Sequence, residues 1–194
     1  MKLNSNLKIE GTKVILIPYK KQHVTKYHTW MKSPELQELT ASEPLSLEEE
    51  YNMQKQWQND KDKCTFILLE KSKYYETNNE IESMIGDTNI FINNEQASGE
   101  IEIMIAEKYA RGKRLGWESV LLMLLFGIKY IDLKVFEAKI SVKNKTSIQM
   151  FKKLGFEETS KSEVFQEVTL EKTVTKIWCD WLQQQCSYNI QPYS

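Results

Sequence analysis

The stretch that decides the fold is Gly99-Glu100-Ile101-Glu102-Ile103-Met104-Ile105 and, a few residues on, Arg111-Gly112-Lys113-Arg114-Leu115-Gly116-Trp117. The first part alternates, placing Ile101, Ile103 and Ile105 on one face of a strand and Glu100, Glu102 and Met104 on the other. The second part enters a segment, Trp117 to Ile131, that is apolar nearly all round, as a helix buried on more than one side must be. A strand that ends in a basic, glycine-bearing turn and opens a helix brings backbone N–H groups, helix-dipole charge and cationic side chains to one place, which suits a phosphate. Glu107 to Arg114 holds four basic residues against one acidic, a local excess of three positive charges, and Arg111 and Arg114 are the only arginines in the chain. No Walker loop follows and only two glycines are present, so an anion turn and a plain strand-to-helix connection stay open on these residues alone.

Outward from this stretch the pattern is mixed. Val135 to Val142 alternates as a strand, Thr146 to Leu154 reads as a short helix closed by Gly155, and Phe165 to Val174 reads as a last strand. Upstream, Val14 to Ile17, stopped by Pro18, and Thr65 to Leu69 read as strands, Gln22 to Lys32 as a helix, and Gly86 to Ile92 as a further strand. Ser46 and Glu49 have the spacing of a capping box, which makes the acidic run Glu48-Glu49-Glu50 the first turn of a helix. The polar segment Lys71 to Ser83 is expected to be a hairpin with a mobile tip. Strict βαβ alternation is missing from the first half, which excludes a doubly wound sheet and points to a mixed α/β (α+β) layer. A single domain over residues 1–194 is expected, with the uncharged residues 183–194 as a docked or frayed tail.

Composition narrows the function classes. At 194 residues the chain can bury about 70% of its unfolded surface, and 41% hydrophobic with 27% charged residues is ordinary for a globular domain. A net charge of −1 provides no global field toward nucleic acid or anionic lipid, so neither is expected as a partner. Cys64, Cys179 and Cys186 lack a zinc spacing, so no metal is expected and reduced thiols are the simplest reading. No secretory apolar segment opens the sequence and no apolar run is long enough to span a bilayer, which places the expected compartment in the cytoplasm or nucleus.

The turn resembles the signature of the GNAT superfamily of acetyl-CoA-dependent N-acetyltransferases, which is Gln or Arg, two residues, Gly, one residue, then Gly or Ala. Arg111 and Gly116 match its ends, and Arg114 stands where the middle glycine is usual. Downstream, Asn144-Lys145-Thr146-Ser147 through Leu154-Gly155-Phe156 is similar to the family's Asn-x-x-Ser helix ending in Leu-Gly-Phe. The segments around Gly99 to Val120, Phe136 to Ile140 and Val164 to Leu170 further resemble the N-acetyltransferase-9-like branch. The resemblance implies a mostly antiparallel seven-stranded sheet, flanked by helices, that splays to admit the pantetheine arm of acetyl-CoA. Met104, Ile105 and Ala106 would then offer it strand-like backbone partners. Arg111, Gly112, Lys113, Arg114, Leu115, Gly116 and Trp117 would wrap the pyrophosphate, with Asn144, Ser147 and Phe151 along the wedge. A side chain at position 114 resists positive φ, an objection that disappears if the turn stays at φ < 0.

Transfer of this kind needs a neutral amine, a proton acceptor and assistance to a leaving thiolate. Glu102 and Glu100 are the candidate bases, directly or through water, against the alternative that both are solvated residues of an alternating strand. Where many relatives carry a tyrosine acid this chain has Phe151, so Asn144, Ser147 or water must assist the sulfur. His23 and His28, on the first helix, are expected to be surface or acceptor-lip residues rather than catalytic ones. Acetylation of an amine, on a protein or peptide as the branch implies, is the expected activity. A catalytically weak GNAT domain acting as an acetyl-CoA-binding or protein-binding adaptor is its rival.

Overall fold

A computed structural model describes residues 2–193. The chain opens with β1 (Leu7–Glu10) and β2 (Val14–Pro18), every residue of β2 being buried. Three helices follow: α1 (Val24–Met31), α2 (Pro34–Thr40) and α3 (Leu47–Asn59). Strand β3 (Lys63–Glu70) leads into the short helices α4 (Lys71–Thr77) and α5 (Glu80–Ser83), and then β4 (Met84–Asn93) and β5 (Ser98–Ile105) form a hairpin. Helix α6 (Leu115–Phe126) ends in a π-helical turn, Gly127–Ile131, before β6 (Val135–Ser141) and α7 (Lys145–Lys153). The chain closes with β7 (Glu157–Ser162), β8 (Glu167–Thr173), α8 (Lys176–Gln185) and β9 (Asn189–Pro192).

All the strands join one sheet in the order β7-β8-β6-β5-β4-β3-β2-β1-β9. Neighbours are antiparallel except β5 and β6. Alternation along each strand divides the core between two faces. On one, Leu16, Phe66, Ile90, Ile101 and Phe136 pack against α6 and α8. On the other, Ile15, Ile67 and Met104 pack against Tyr27, Trp30 and Leu36 of α1 and α2. Helix α6 is buried along almost its whole length, as its unbroken apolar sequence requires. The Ser46 and Glu49 capping box closes in both directions and starts α3.

Two expectations are corrected. The sheet has nine strands rather than seven, because the short β1 and the segment Asn189–Pro192 add to one edge. That pairing docks part of the expected tail, and α8 extends into its first residues. Lys71 to Ser83 is a pair of helices rather than a hairpin with a mobile tip. Asn78 turns the chain at φ +48°, and the Asn79 side chain then accepts from the Glu82 N–H to start α5. Among the described residues, no helix is long and apolar enough to cross a membrane.

Candidate active site

β5 and β6 pair through only three residue couples, Ser98 with Val135, Gly99 with Phe136 and Glu100 with Glu137. Beyond them the strands part, and a cavity of about 480 Å³ opens along the split. Glu102 and Met104 line it from β5, with Ile140 at the end of β6 and Asn144, Ser147 and Phe151 beyond it. Glu100 also lines it, but its carboxylate is ion-paired with Lys139 across the last rung. Asn144 caps α7 by accepting from the Ser147 N–H at 3.1 Å, which fixes its side-chain carbonyl at the cavity wall. Phe151 is fully buried and packs edge-on against Phe156, so its ring is a wall of the cavity.

Ile105 ends β5, Ala106 and the turn Arg111 to Trp117 lie past it, and none of them is in the cavity lining. Helix α6 begins there without a side-chain cap, so the N–H groups of its first turn are available to an anion. Gly112 sits at φ +75°, and a Cβ added to it would meet nothing within 4 Å. Arg114 does not stay at negative φ as the easier alternative required: it occupies the left-handed region at φ +66°. The turn therefore keeps a backbone suited to glycine despite carrying an arginine, at a cost of roughly 1–2 kcal/mol. Arg111 is turned inward: Nε donates to the Ile105 carbonyl at 2.9 Å and a terminal nitrogen to Glu35 at 2.6 Å. Lys113 lies 3.8 Å from Glu70 and over the Tyr109 ring. Trp117 is half-buried against the core under α6.

The cleft continues onto the face covered by α1 to α3, where the polar residues Lys63, Thr65, Asp87 and Asn89 were not singled out from the sequence. Asn89 of β4 pairs in register with Glu102 of β5, and its amide donates to Asp87 Oδ2 at 2.9 Å and to Glu102 Oε2 at 3.4 Å. Thr65 donates to the Asn89 carbonyl at 2.6 Å and so fixes which way that amide points. Lys63, buried on β3, lies over the rings of Trp57 and Phe91 at 3.2 and 4.0 Å. Burial pushes the Asp87 carboxyl up to about 7, with the Glu102 charge adding to the rise and Lys63 opposing it. Glu102 touches the water of the cleft, but the crowding walls desolvate its carboxyl and raise it, with Lys63 pulling it back. Burial also lowers the Lys63 ammonium to about 8. Only the register of β4 against β5 brings these groups together. The available signal was the polar triplet Asp87-Thr88-Asn89 inside an otherwise apolar run.

His23 and His28 are buried away from this chemistry. His23 accepts from the Lys20 N–H and faces Glu80 at 3.2 Å, and His28 lies 3.8 Å from the buried Glu50.

The chain matches the model of the acetyltransferase (GNAT) domain over residues 13–157. It belongs to the GNAT family. It is 49% identical to the α/β-tubulin-N-acetyltransferase 9 of Drosophila melanogaster, with 100% of each chain covered. It is 51% identical to the protein of the same name from Homo sapiens, covering 97% of this chain and 93% of that one. Among solved structures, the spermidine N-acetyltransferase of Vibrio cholerae in complex with CoA and spermine shares the fold at a TM-score of 0.72. That likeness covers 83% of this chain and 95% of the other at 16% identity. The protein is accordingly an acyltransferase of the N-acetyltransferase class, a family that uses acetyl-CoA. Its residues fit that cosubstrate. The split between β5 and β6 leaves an unpaired strand edge for an amide-bearing arm, and the uncapped start of α6 offers N–H groups to a pyrophosphate.

Proposed function

We propose that this GNAT protein acetylates a protein amino group, with a tubulin-type acceptor suggested by the names of its relatives, and that Glu102 receives the acceptor's proton. The observation that carries this reading is the position of Glu102 in the split, two residues before Met104 and beside a cavity that joins the cofactor wedge to the helical face. Acetyl-CoA supplies the thioester carbonyl that the amine attacks. Met104, Ile105 and Ala106 hold its arm along the open edge of β5, and Arg111 to Trp117 hold its pyrophosphate. Glu102 takes the proton directly or through a water, and its raised pKa keeps it a useful base near neutrality. Glu100 is tied to Lys139 and serves to set the field around Glu102. The Asn144 amide and Ser147 lie where a departing sulfur can be hydrated and polarised, since Phe151 provides no phenol.

A single carboxylate of this strength suits an α-amine. Near pH 7.4 about a quarter of a group with pKa about 7.8 is already neutral, against about 0.1% of a lysine amine. The test is CoA release from acetyl-CoA with peptides carrying either a free α-amine or only a lysine amine. Glu102→Gln is expected to lower kcat by about 10²- to 10⁴-fold with folding and acetyl-CoA binding intact. Undiminished kcat in that variant would reject Glu102 as the base. Binding of acetyl-CoA without turnover on any amine would reduce the chain to an adaptor.

A further inference from the structure

Asp87 has no part in the reading above, yet it is the most completely buried acid lining the cavity, at 2% exposure. Its two oxygens differ. Oδ2 accepts from Asn89, while Oδ1 has no hydrogen-bond partner among the described residues. A buried carboxylate oxygen left without a donor is costly, and such an atom on a cavity wall is a natural place for a ligand's donor. Asn89 donates to both Asp87 and Glu102, so the two acids form one hydrogen-bonded unit across β4 and β5. Lys63 stands nearby on β3, Tyr19 and Tyr27 are within electrostatic reach of Asp87, and Glu50 in turn acts on those two tyrosines from the helical side. Burial holds both phenols protonated at neutral pH. With both acids ionised and Lys63 charged, the unit carries one net negative charge. Its complement is a single cation.

We infer that Asp87 is the acceptor's ammonium site: its unpartnered Oδ1 binds the incoming amine as R–NH₃⁺, and Asn89 links that site to Glu102, which takes the proton. This inference deepens the proposed acetyl transfer and rests on it. R–NH₃⁺ bound at Asp87 loses one proton to the Glu102 carboxylate and becomes R–NH₂. The nitrogen lone pair then forms the N–C bond to the thioester carbonyl carbon as the C–S bond breaks. The second nitrogen proton passes through water to the CoA sulfur, and Glu102 returns its proton to solvent when the amide leaves. Asp87 thereby selects amines that arrive protonated and delivers them one residue pair from the base. Burial raises the Asp87 pKa to about 7 in the empty site, and a bound ammonium would pull it back down by favouring the ionised carboxylate.

The experiment uses the full chain, acetyl-CoA and a short peptide with a free α-amine and no lysine, assayed between pH 6.5 and 9. Asp87→Asn is expected to raise the peptide KM by about tenfold or more near pH 7.4, where a carboxyl with its pKa at about 7 is largely ionised and the α-amine is still mostly protonated, with the penalty fading toward pH 9 as the peptide amine becomes neutral and toward pH 6.5 as the acid does. Asp87→Glu, which keeps the charge, should restore part of the loss, and Glu102→Gln should lower kcat at every pH. A KM penalty that is equal at pH 7.4 and pH 9, or a loss confined to kcat, would overturn the inference. Thermal melting of each variant separates these outcomes from misfolding. If the wild-type protein turns over no amine, the proposed activity is what fails. Asp87 is then judged by calorimetry in the presence of CoA, where tighter binding of the free peptide than of its N-acetylated form must disappear in Asp87→Asn, or the inference falls too.

Discussion

Two residues of one turn carry opposite demands. Gly112 and Arg114 both have positive φ, at +75° and +66°, but only the first is a glycine. Arg114→Gly is expected to stabilise the fold by about 0.5 kcal/mol, the relief of strain exceeding the entropy that glycine adds to the unfolded chain. Gly112→Ala, with open space around its new Cβ, should cost about 1 kcal/mol by backbone conformation alone. Urea unfolding of the two variants checks both signs. At this scale the sequence was legible wherever a period carried the information. The alternation of Glu100, Glu102 and Met104 assigned their shared face correctly, and all three reach the cavity. Asp87 and Asn89 were illegible because their meaning depends on which residues of β5 lie opposite, and register is a tertiary fact. The conformation of Arg114 was left open by the sequence for a similar reason. A turn's φ is imposed by the strand and helix that it must join.

At the level of elements, α2 is the piece that spans the split. Glu35 pairs with Arg111 at 2.6 Å and with Lys108 at 3.5 Å on the β5 side, and Glu38 pairs with Lys143 at 2.6 Å on the β6 side. The Arg111 guanidinium holds the Glu35 carboxyl below the usual carboxylate range. A carboxylate on that guanidinium competes with a pyrophosphate for the same donors. Glu35→Gln is therefore expected to tighten acetyl-CoA binding several-fold at low salt, with the gain shrinking as salt screens these exposed charges. Titration calorimetry at two salt concentrations reads it. An unchanged affinity at low salt would leave the Glu35 contact as a structural tie only. Elements with a strong apolar rhythm, such as β2, β5 and α6, could be read from sequence. β7, whose six residues Glu157-Glu158-Thr159-Ser160-Lys161-Ser162 face solvent almost throughout, has no apolar rhythm to read and was missed. The short β1 and β9 gain their strand character from pairing with each other.

For the whole molecule, buried acids set how stability follows pH. Burial raises Glu50 and Asp87 to about 7. A carboxyl whose folded pKa lies above its unfolded value binds more protons in the folded state between the two. The stability that it contributes is complete below about pH 4.5 and is lost as pH rises through about 7. Glu10, Glu35 and Glu80 are lowered instead and act in reverse, losing their contribution as pH falls through their folded pKa values below 4.5. Maximum stability should therefore lie near pH 4.5 to 5 and decline toward pH 8. Glu50→Gln is expected to raise the melting temperature at pH 8 and to change it little at pH 5, since the neutral amide removes a charge penalty of roughly 3 kcal/mol. Melting curves across that range decide it. An equal shift at both pH values would mean that packing around His28, not ionisation, sets the effect.

The splayed junction has a last consequence, which concerns the rims of the sheet. Open β-sheets risk templating other chains along their unpaired backbones, and natural ones guard those borders. Here the outer borders are guarded: β7 bristles with Glu157, Glu158 and Lys161, and β9 is only four residues long and ends in Pro192. The one unprotected border is internal, where β5 and β6 turn unpaired backbone toward each other across the split. The protein thus keeps its adhesive edge indoors, available to a slender substrate arm and closed to a neighbouring chain.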